Sequence, residues 1–272
     1  MQEPLPKQTP IDGRRYRGWE EKFEGYRSTI SQRRIERWLD QFDADHLDAA
    51  ARLLDSVEYI GLPKIAAAFR ELVDTLPGWH KDEARREGKW RFVPFSGSVG
   101  ESGDSMTHQF RIATGMGAQR YNQLFVHRSD LASAGLGPDD SVVLIDDFAG
   151  TGAQAADAWD KQFSELLFAS PNIYLVLVAA DYRGVNAIRE RTPIRPVPYR
   201  TLVENDNLEG TRYFDDDEKR LITDYCERAN SNIPLGFGRL GVVVVFQHRC
   251  PNNSIAALHS RGREWEPLFP RV

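Results

Sequence analysis

The chain has only two cysteines in 272 residues, Cys226 and Cys250, and no CxxC pair, which excludes a disulfide framework. Its six histidines show no metal-ligand spacing, which argues against zinc. No apolar run reaches the roughly 20 residues a membrane-spanning helix needs, and the first residues, MQEPLPKQTP, are not a signal peptide. A cytoplasmic protein without membrane contact is therefore expected. An excess of positive charge is also missing. With a net charge of −5, broad electrostatic binding to nucleic acid or membrane is not expected. Repeats and low-complexity tracts are absent. What is present, 41% hydrophobic and 28% charged residues, suits one large globular domain or two modest ones.

The pattern changes near residue 90, giving an expected helical module over 1–89 and an α/β domain over 90–272. Ser31 is a plausible N-cap for a helix with Ile35, Trp38, Leu39 and Phe42 on one face. A second helix starts near Asp45 and buries Leu47, Leu53, Leu54 and Val57. A third begins at Pro63, a favoured first-turn position, and stops at Pro77-Gly78. This module either covers one side of the sheet or offers a partner-binding surface. Arg14, Arg15, Arg17, Arg27, Arg33, Arg34 and Arg37, with Tyr16, Trp19 and Tyr26 between them, could bind single-stranded nucleic acid. Glu20, Glu21, Glu24 and Glu36 dilute that charge and favour a solvated face laced with ion pairs.

From residue 90 strands and helices alternate, as in a parallel sheet with covering helices. Strands are expected at Trp90–Phe95, Gln123–Arg128, Val142–Ile145, Ile173–Ala180, Pro198–Val203 and Val242–Phe246. Helices are expected at Gly103–Ile112, Gly152–Phe168, Val185–Arg191 and Asp216–Asn230. The near-continuous apolar run NIYLVLVAAD fits a strand buried on both faces. The acidic stretch Asn205–Asp217 reads as a loop, either a lid or a connection.

The segment Val142–Gln154, VVLIDDFAGTGAQ, bears most directly on function. Four apolar residues make a buried strand, and Asp146 and Asp147 stand at its carboxyl end. The small-residue turn Ala149, Gly150, Thr151, Gly152 then opens a helix. In open α/β sheets ligands bind just outside the carboxyl ends of the strands. A glycine-containing turn opening a helix presents N–H groups to an anion, usually a phosphate. Paired carboxylates beside it can hold sugar hydroxyls or Mg²⁺. Together these features point to a sugar-phosphate site. A strand ending in two acids is also a Walker B pattern, or a sheet edge with no ligand. Upstream, Gly97–Ser105 reads GSVGESGDS, superficially a Walker A loop. Its glycines are spaced one residue too far apart, and Asp104 stands where the lysine belongs and would repel phosphate. A P-loop is rejected.

The DDFAGTG stretch resembles the phosphoribosyl-diphosphate (PRPP) signature of the type I phosphoribosyltransferases: four apolar residues, two acids, three variable residues, then Thr-Gly. The resemblance implies that Asp146 and Asp147 hold the ribose 2′- and 3′-hydroxyls, and the catalytic assignment falls on them. It implies that Phe148, Ala149, Gly150, Thr151 and Gly152 wrap the 5′-phosphate, with Thr151 adding a hydroxyl bond. Magnesium would be held indirectly, through its complex with the ligand, at Asp146 and Asp147. Gly150 stands where many purine enzymes carry a proton-accepting aspartate, and Ala153 and Gln154 replace the common Lys and Thr. Ribose-phosphate binding survives these changes better than transfer chemistry does. The pyrophosphate loop of such enzymes would fall on Gly100, Glu101, Ser102 and Gly103, where Glu101 needs Mg²⁺ or a nearby Arg91 or Arg111 to screen it. A flexible Gly/Ser-rich surface loop is the alternative. Asp181, Tyr182 and Arg183 follow the next strand. Arg183 could reach pyrophosphate and Tyr182 could stack on a base, or all three could be ordinary turn residues.

The carboxyl end, from Pro251, reads PNNSIAALHSRGREWEPLFPR. It resembles the closing stretch of a phosphoribosyltransferase-like family predicted in bacterial antiviral conflict systems. Pro251, Asn252, Asn253, Ser254, Trp265, Pro267, Leu268, Phe269 and Arg271 match, while Ala256 and His259 stand where Pro and Trp are usual. Arg37–Asp43, RWLDQFD, matches the front of that family. The expected fold is thus a type I phosphoribosyltransferase-like, mostly parallel α/β sheet flanked by helices, with an N-terminal helical module. The expected ligand is PRPP or a nucleotide ribose phosphate. The resemblance further implies a defence role, with a protein partner from the same operon. A non-catalytic nucleotide sensor or scaffold is the alternative reading, and Asn252 and Asn253 could order a loop or read a ligand.

Overall fold

The computed structural model describes residues 11–95, 102–167 and 171–271. The chain folds into two compact units, Met1–Leu62 with Val203–Val272, and Pro63–Leu202. The second is therefore inserted into the first. The boundary near residue 90 suggested by the helical pattern falls inside this inserted unit.

The first unit begins with three helices: α1 (Gly13–Lys22), α2 (Gln32–Leu39) and α3 (Leu47–Ser56). The strand β1 (Glu58–Ile60) follows. After the insertion the unit resumes with α9 (Asp216–Ala229), β6 (Val244–Phe246) and α10 (Ala256–His259). Asp215 starts α9 through a capping box: its Oδ1 accepts the Glu218 N–H at 2.9 Å, and Glu218 Oε2 accepts the Asp215 N–H at 2.9 Å. β1 and β6 pair in parallel, so Val242–Phe246 does not extend the main sheet as expected but closes a separate two-stranded one. The acidic stretch after residue 204 is anchored by Leu208 and Phe214, both buried in this unit's core.

Aromatic side chains knit that core. Trp38 and Trp265 both donate their indole N–H to the Ala257 carbonyl at 3.0 Å. Phe269 meets Phe23 and Tyr26 edge-on, with centroids 4.9 and 5.2 Å apart. The nucleic-acid reading of the front segment loses two of its three stacking residues here, because Trp19 and Tyr26 are buried while Tyr16 is half-buried. Trp19 donates to Asp55 at 2.7 Å and Tyr26 to the Pro270 carbonyl at 2.7 Å.

The inserted unit holds a four-stranded parallel sheet in sequential order: β2 (Trp90–Pro94), β3 (Ser141–Ala149), β4 (Asn172–Asp181) and β5 (Arg195–Leu202). Its helices are α4 (Leu62–Asp74), α5 (Ser102–Ala113), α6 (Ala153–Ala158), α7 (Ser164–Leu166) and α8 (Tyr182–Arg191), with a π turn at Trp159–Phe163 joining α6 to α7. β3 and β4 are central, and Val142 to Ile145 are fully buried, as a run covered on both faces requires. The outer strand β5 carries Pro196 and Pro198, residues that a central strand could not accommodate. The strand expected at Gln123–Arg128 is instead a 3₁₀ turn over Gln119–Leu124 followed by one bridge, Phe125 to Phe92. Tyr121 and Leu124 are buried three residues apart, a helical rather than an alternating spacing. The result is a mixed α/β fold with parallel strands flanked by helices. Among the described residues no helix is long and apolar enough to cross a membrane.

Candidate functional site

β3 carries its apolar run into two acids, Asp146 and Asp147, and ends two residues later at Ala149. Asp146 and Asp147 are buried, at 4% and 8% exposure. A buried carboxylate is costly unless hydrogen bonds or cations compensate it. Asp146 Oδ1 accepts the Asp147 N–H at 3.0 Å, and Asp147 Oδ1 accepts the Phe148 N–H at 2.8 Å. As consecutive strand residues the two acids leave opposite faces of the sheet, and both lie near the carboxyl ends of the parallel strands, where such sheets bind ligands.

The turn follows at once. Phe148 and Ala149 finish the strand half-buried, Gly150 is buried, and Gly152 takes a positive φ of 75° as the N-cap of α6. That backbone conformation favours glycine. Thr151 accepts the Ala153 N–H on its hydroxyl at 3.3 Å, which starts α6. A chain reversing through small residues beside two carboxylates leaves backbone amides and acids on one rim of the sheet.

β4 brings the next candidates alongside. Ala149 pairs with Ala180, so Asp181 lies one residue beyond the end of the β3 pairing. Asp181 is fully buried and caps α8, accepting the Arg183 N–H at 2.9 Å. Its two oxygens also take the Arg183 guanidinium as a fork, Nε at 2.8 Å and Nη2 at 2.9 Å. The same guanidinium lies 5.5 Å from the Tyr182 ring centroid, and Tyr182 is 36% exposed. Asp181 and Arg183 therefore form a structural pair at the rim.

On the other side, β2 ends opposite Ile145, and α5 packs against β2 and β3. Gly103 lies in the first turn of α5, where its carbonyl accepts the Thr107 hydroxyl at 2.8 Å. The α5 helix also includes Ser102. Gly100 and Glu101 lie outside the described residues.

Asn252 and Asn253 belong to the other unit and order a loop there. The Phe237 N–H donates to the Asn252 carbonyl at 2.7 Å, and Asn253 Nδ2 donates to the Phe237 carbonyl at 2.8 Å. His259 is buried, with Nε2 3.0 Å from the Ser254 carbonyl oxygen. The closing motif thus builds structure.

One residue at the rim, Gly184, escapes a reading of motifs. Its signal is faint: a glycine within a helix, where alanine is favoured.

A model of the PRTase-CE family matches residues 35–271, a span that holds the paired acids, the turn and the closing motif. No curated protein matches the chain.

Proposed function

The chain belongs to the phosphoribosyltransferase-like PRTase-CE family, and from that premise we propose that Asp146–Gly152 binds the ribose phosphate of PRPP or a nucleotide. The observation that carries the proposal is the pair of buried carboxylates in the last four residues of a central parallel strand, followed within five residues by a positive-φ glycine that opens a helix. In this reading Asp146 and Asp147 accept hydrogen bonds from the ribose hydroxyls. The backbone from Phe148 to Gly152 meets the 5′-phosphate, and the Thr151 hydroxyl turns from Ala153 to the ligand.

Among the described residues no group of three or more His, Cys, Asp or Glu could cage a metal ion. The donor set fits magnesium that arrives on the ligand's phosphates and meets one or two carboxylates. Once there, the ion would neutralise charge on a departing pyrophosphate. The chain's own part in a displacement at C1′ is to hold the ribose in register and keep its reacting face oriented.

Gly150 has no side chain to accept a proton, and this supports a second reading: a non-catalytic nucleotide sensor or scaffold built on the same turn. The resemblance of the closing motif extends the proposal to a role in bacterial antiviral defence, alongside a partner protein.

Calorimetric titration with PRPP and common nucleotides, each with Mg²⁺, tests the site on the wild type and on Asp146→Ala/Asp147→Ala. Binding to the wild type that the double variant loses is the expected result. No binding of any of them to the wild type would overturn it. Binding without release of pyrophosphate from PRPP, across a panel of bases, would select the sensor reading.

A further inference from the structure

We propose that Gly184 is a positioning residue for the ribose-phosphate turn, and that the first turn of α8 is the surface against which Gly150–Gly152 takes its shape. This inference rests on the ribose-phosphate reading of that turn. A Cβ on Gly184 would stand 2.0 Å from the Gly150 carbonyl oxygen, 2.9 Å from its carbonyl carbon and 3.1 Å from the Gly152 nitrogen. A Cβ on Gly152 would stand 2.7 Å from the Gly184 carbonyl oxygen and 3.2 Å from both Ala187 Cβ and Ile188 Cγ1. In both directions the nearest atom is a backbone carbonyl oxygen. No flexible side-chain end is available to swing aside, so a methyl group at 184 must displace the turn or the helix.

The helix is held in place on its own account. Asp181 caps it and grips the Arg183 guanidinium as a fork, a charge-assisted arrangement with defined geometry. Ile188, fully buried, anchors the next turn in the core. β3 and β4 fix the other side of the contact through the Ala149–Ala180 pairing. The turn is thus braced laterally by strand register and from below by α8. Glycine inside a helix is unfavourable relative to alanine, so residue 184 serves the close approach at the expense of helix stability. A turn that wraps phosphate depends on where its N–H groups point, and small displacements of positioning elements cost binding steeply.

The test is Gly184→Ala in the full chain, with Val185→Ala as a control for lost packing, since Val185 is buried in the sheet core one residue along. Two quantities are read: the amide resonances of Gly150 and Gly152 without ligand, and the affinity for Mg²⁺–PRPP. Gly184→Ala is expected to move both resonances and to weaken binding about tenfold or more. Val185→Ala should lower the melting temperature and leave affinity unchanged. A folded Gly184→Ala protein with wild-type affinity, or one that loses affinity with both resonances unmoved, overturns the proposal. Should Gly184→Ala not fold, Ala187→Gly takes its place, removing the methyl group beneath Gly152 without adding an atom. Weaker binding would support the proposal and unchanged binding would overturn it. If the wild type binds no ribose phosphate, the underlying reading falls, while the ligand-free resonances separately report whether residue 184 shapes the turn.

Discussion

His259 is buried in the closing motif, and burial dominates its chemistry. Its pKa is depressed to about 4, chiefly by loss of water around the charged ring, with the Ser254 carbonyl opposing. The unfolded chain binds this proton near pH 6.5, the folded chain only near 4, so between those values the unfolded state holds more protons. The contribution to stability is therefore complete above about pH 6.5 and is lost as the pH falls toward 4, a linkage of about 3 kcal/mol in all. Urea denaturation of wild type and His259→Gln at pH 5 and pH 6.5 should show a shallower pH dependence in the variant. The two cysteines behave similarly: burial pushes both thiols up to about 12. Neither should react with a thiol reagent at pH 8 until denaturant is added, because the thiolate is the reactive form. At the candidate site, Gly152→Ala forces a side chain into left-handed backbone, at about 1–2 kcal/mol before its clash with the Gly184 carbonyl is counted. Equilibrium unfolding would register that loss.

Among the elements, the carboxyl-terminal stretch locks the first unit. Phe269 is fully buried between Phe23 and Tyr26, and its N–H donates to the Leu258 carbonyl at 2.8 Å. Phe269→Ala is expected to cost about 3–5 kcal/mol, measured by denaturant titration. Which elements could be read from sequence follows from how local their causes are. VVLI and NIYLVLVAAD announce buried strands because both faces are covered, and the helix start at Asp216 was legible because its cap needs only a few neighbours, whereas α8 begins at Tyr182, three residues before the expected Val185, because Asp181 caps it. The paired acids and the Thr-Gly turn were legible because their pattern is likewise local. Phe125 was not, because its partner Phe92 is set by tertiary packing and gives one bridge where the apolar spacing suggested a strand. α1 escaped because GRRYRGWEEK buries a single residue, Trp19, and shows no apolar stripe. The pairing of β6 with β1 is a long-range choice that neither short segment specifies alone. Gly184 was invisible because its role lies in an approach between two segments.

For the whole molecule, the insertion matters most. Each unit has its own buried cluster, and the described residues proposed for the ribose phosphate all lie in Pro63–Leu202. A fragment of residues 63–202 is expected to fold alone, with a cooperative thermal transition, and to bind Mg²⁺–PRPP with the affinity of the full chain. Failure of that fragment to fold would show that its core depends on the rest of the chain. The order of synthesis gives the insertion a temporal meaning. Sheet and paired acids emerge from the ribosome while the first unit still lacks β6, α10 and Phe269. The first unit must keep Trp38, Phe42 and Phe23 waiting, without their final partners, until the segment that carries Trp265 and Phe269 has been made. From Val203 to Phe269 the nascent chain carries a finished insert and an unfinished frame, and that interval is when chaperones would have most to protect.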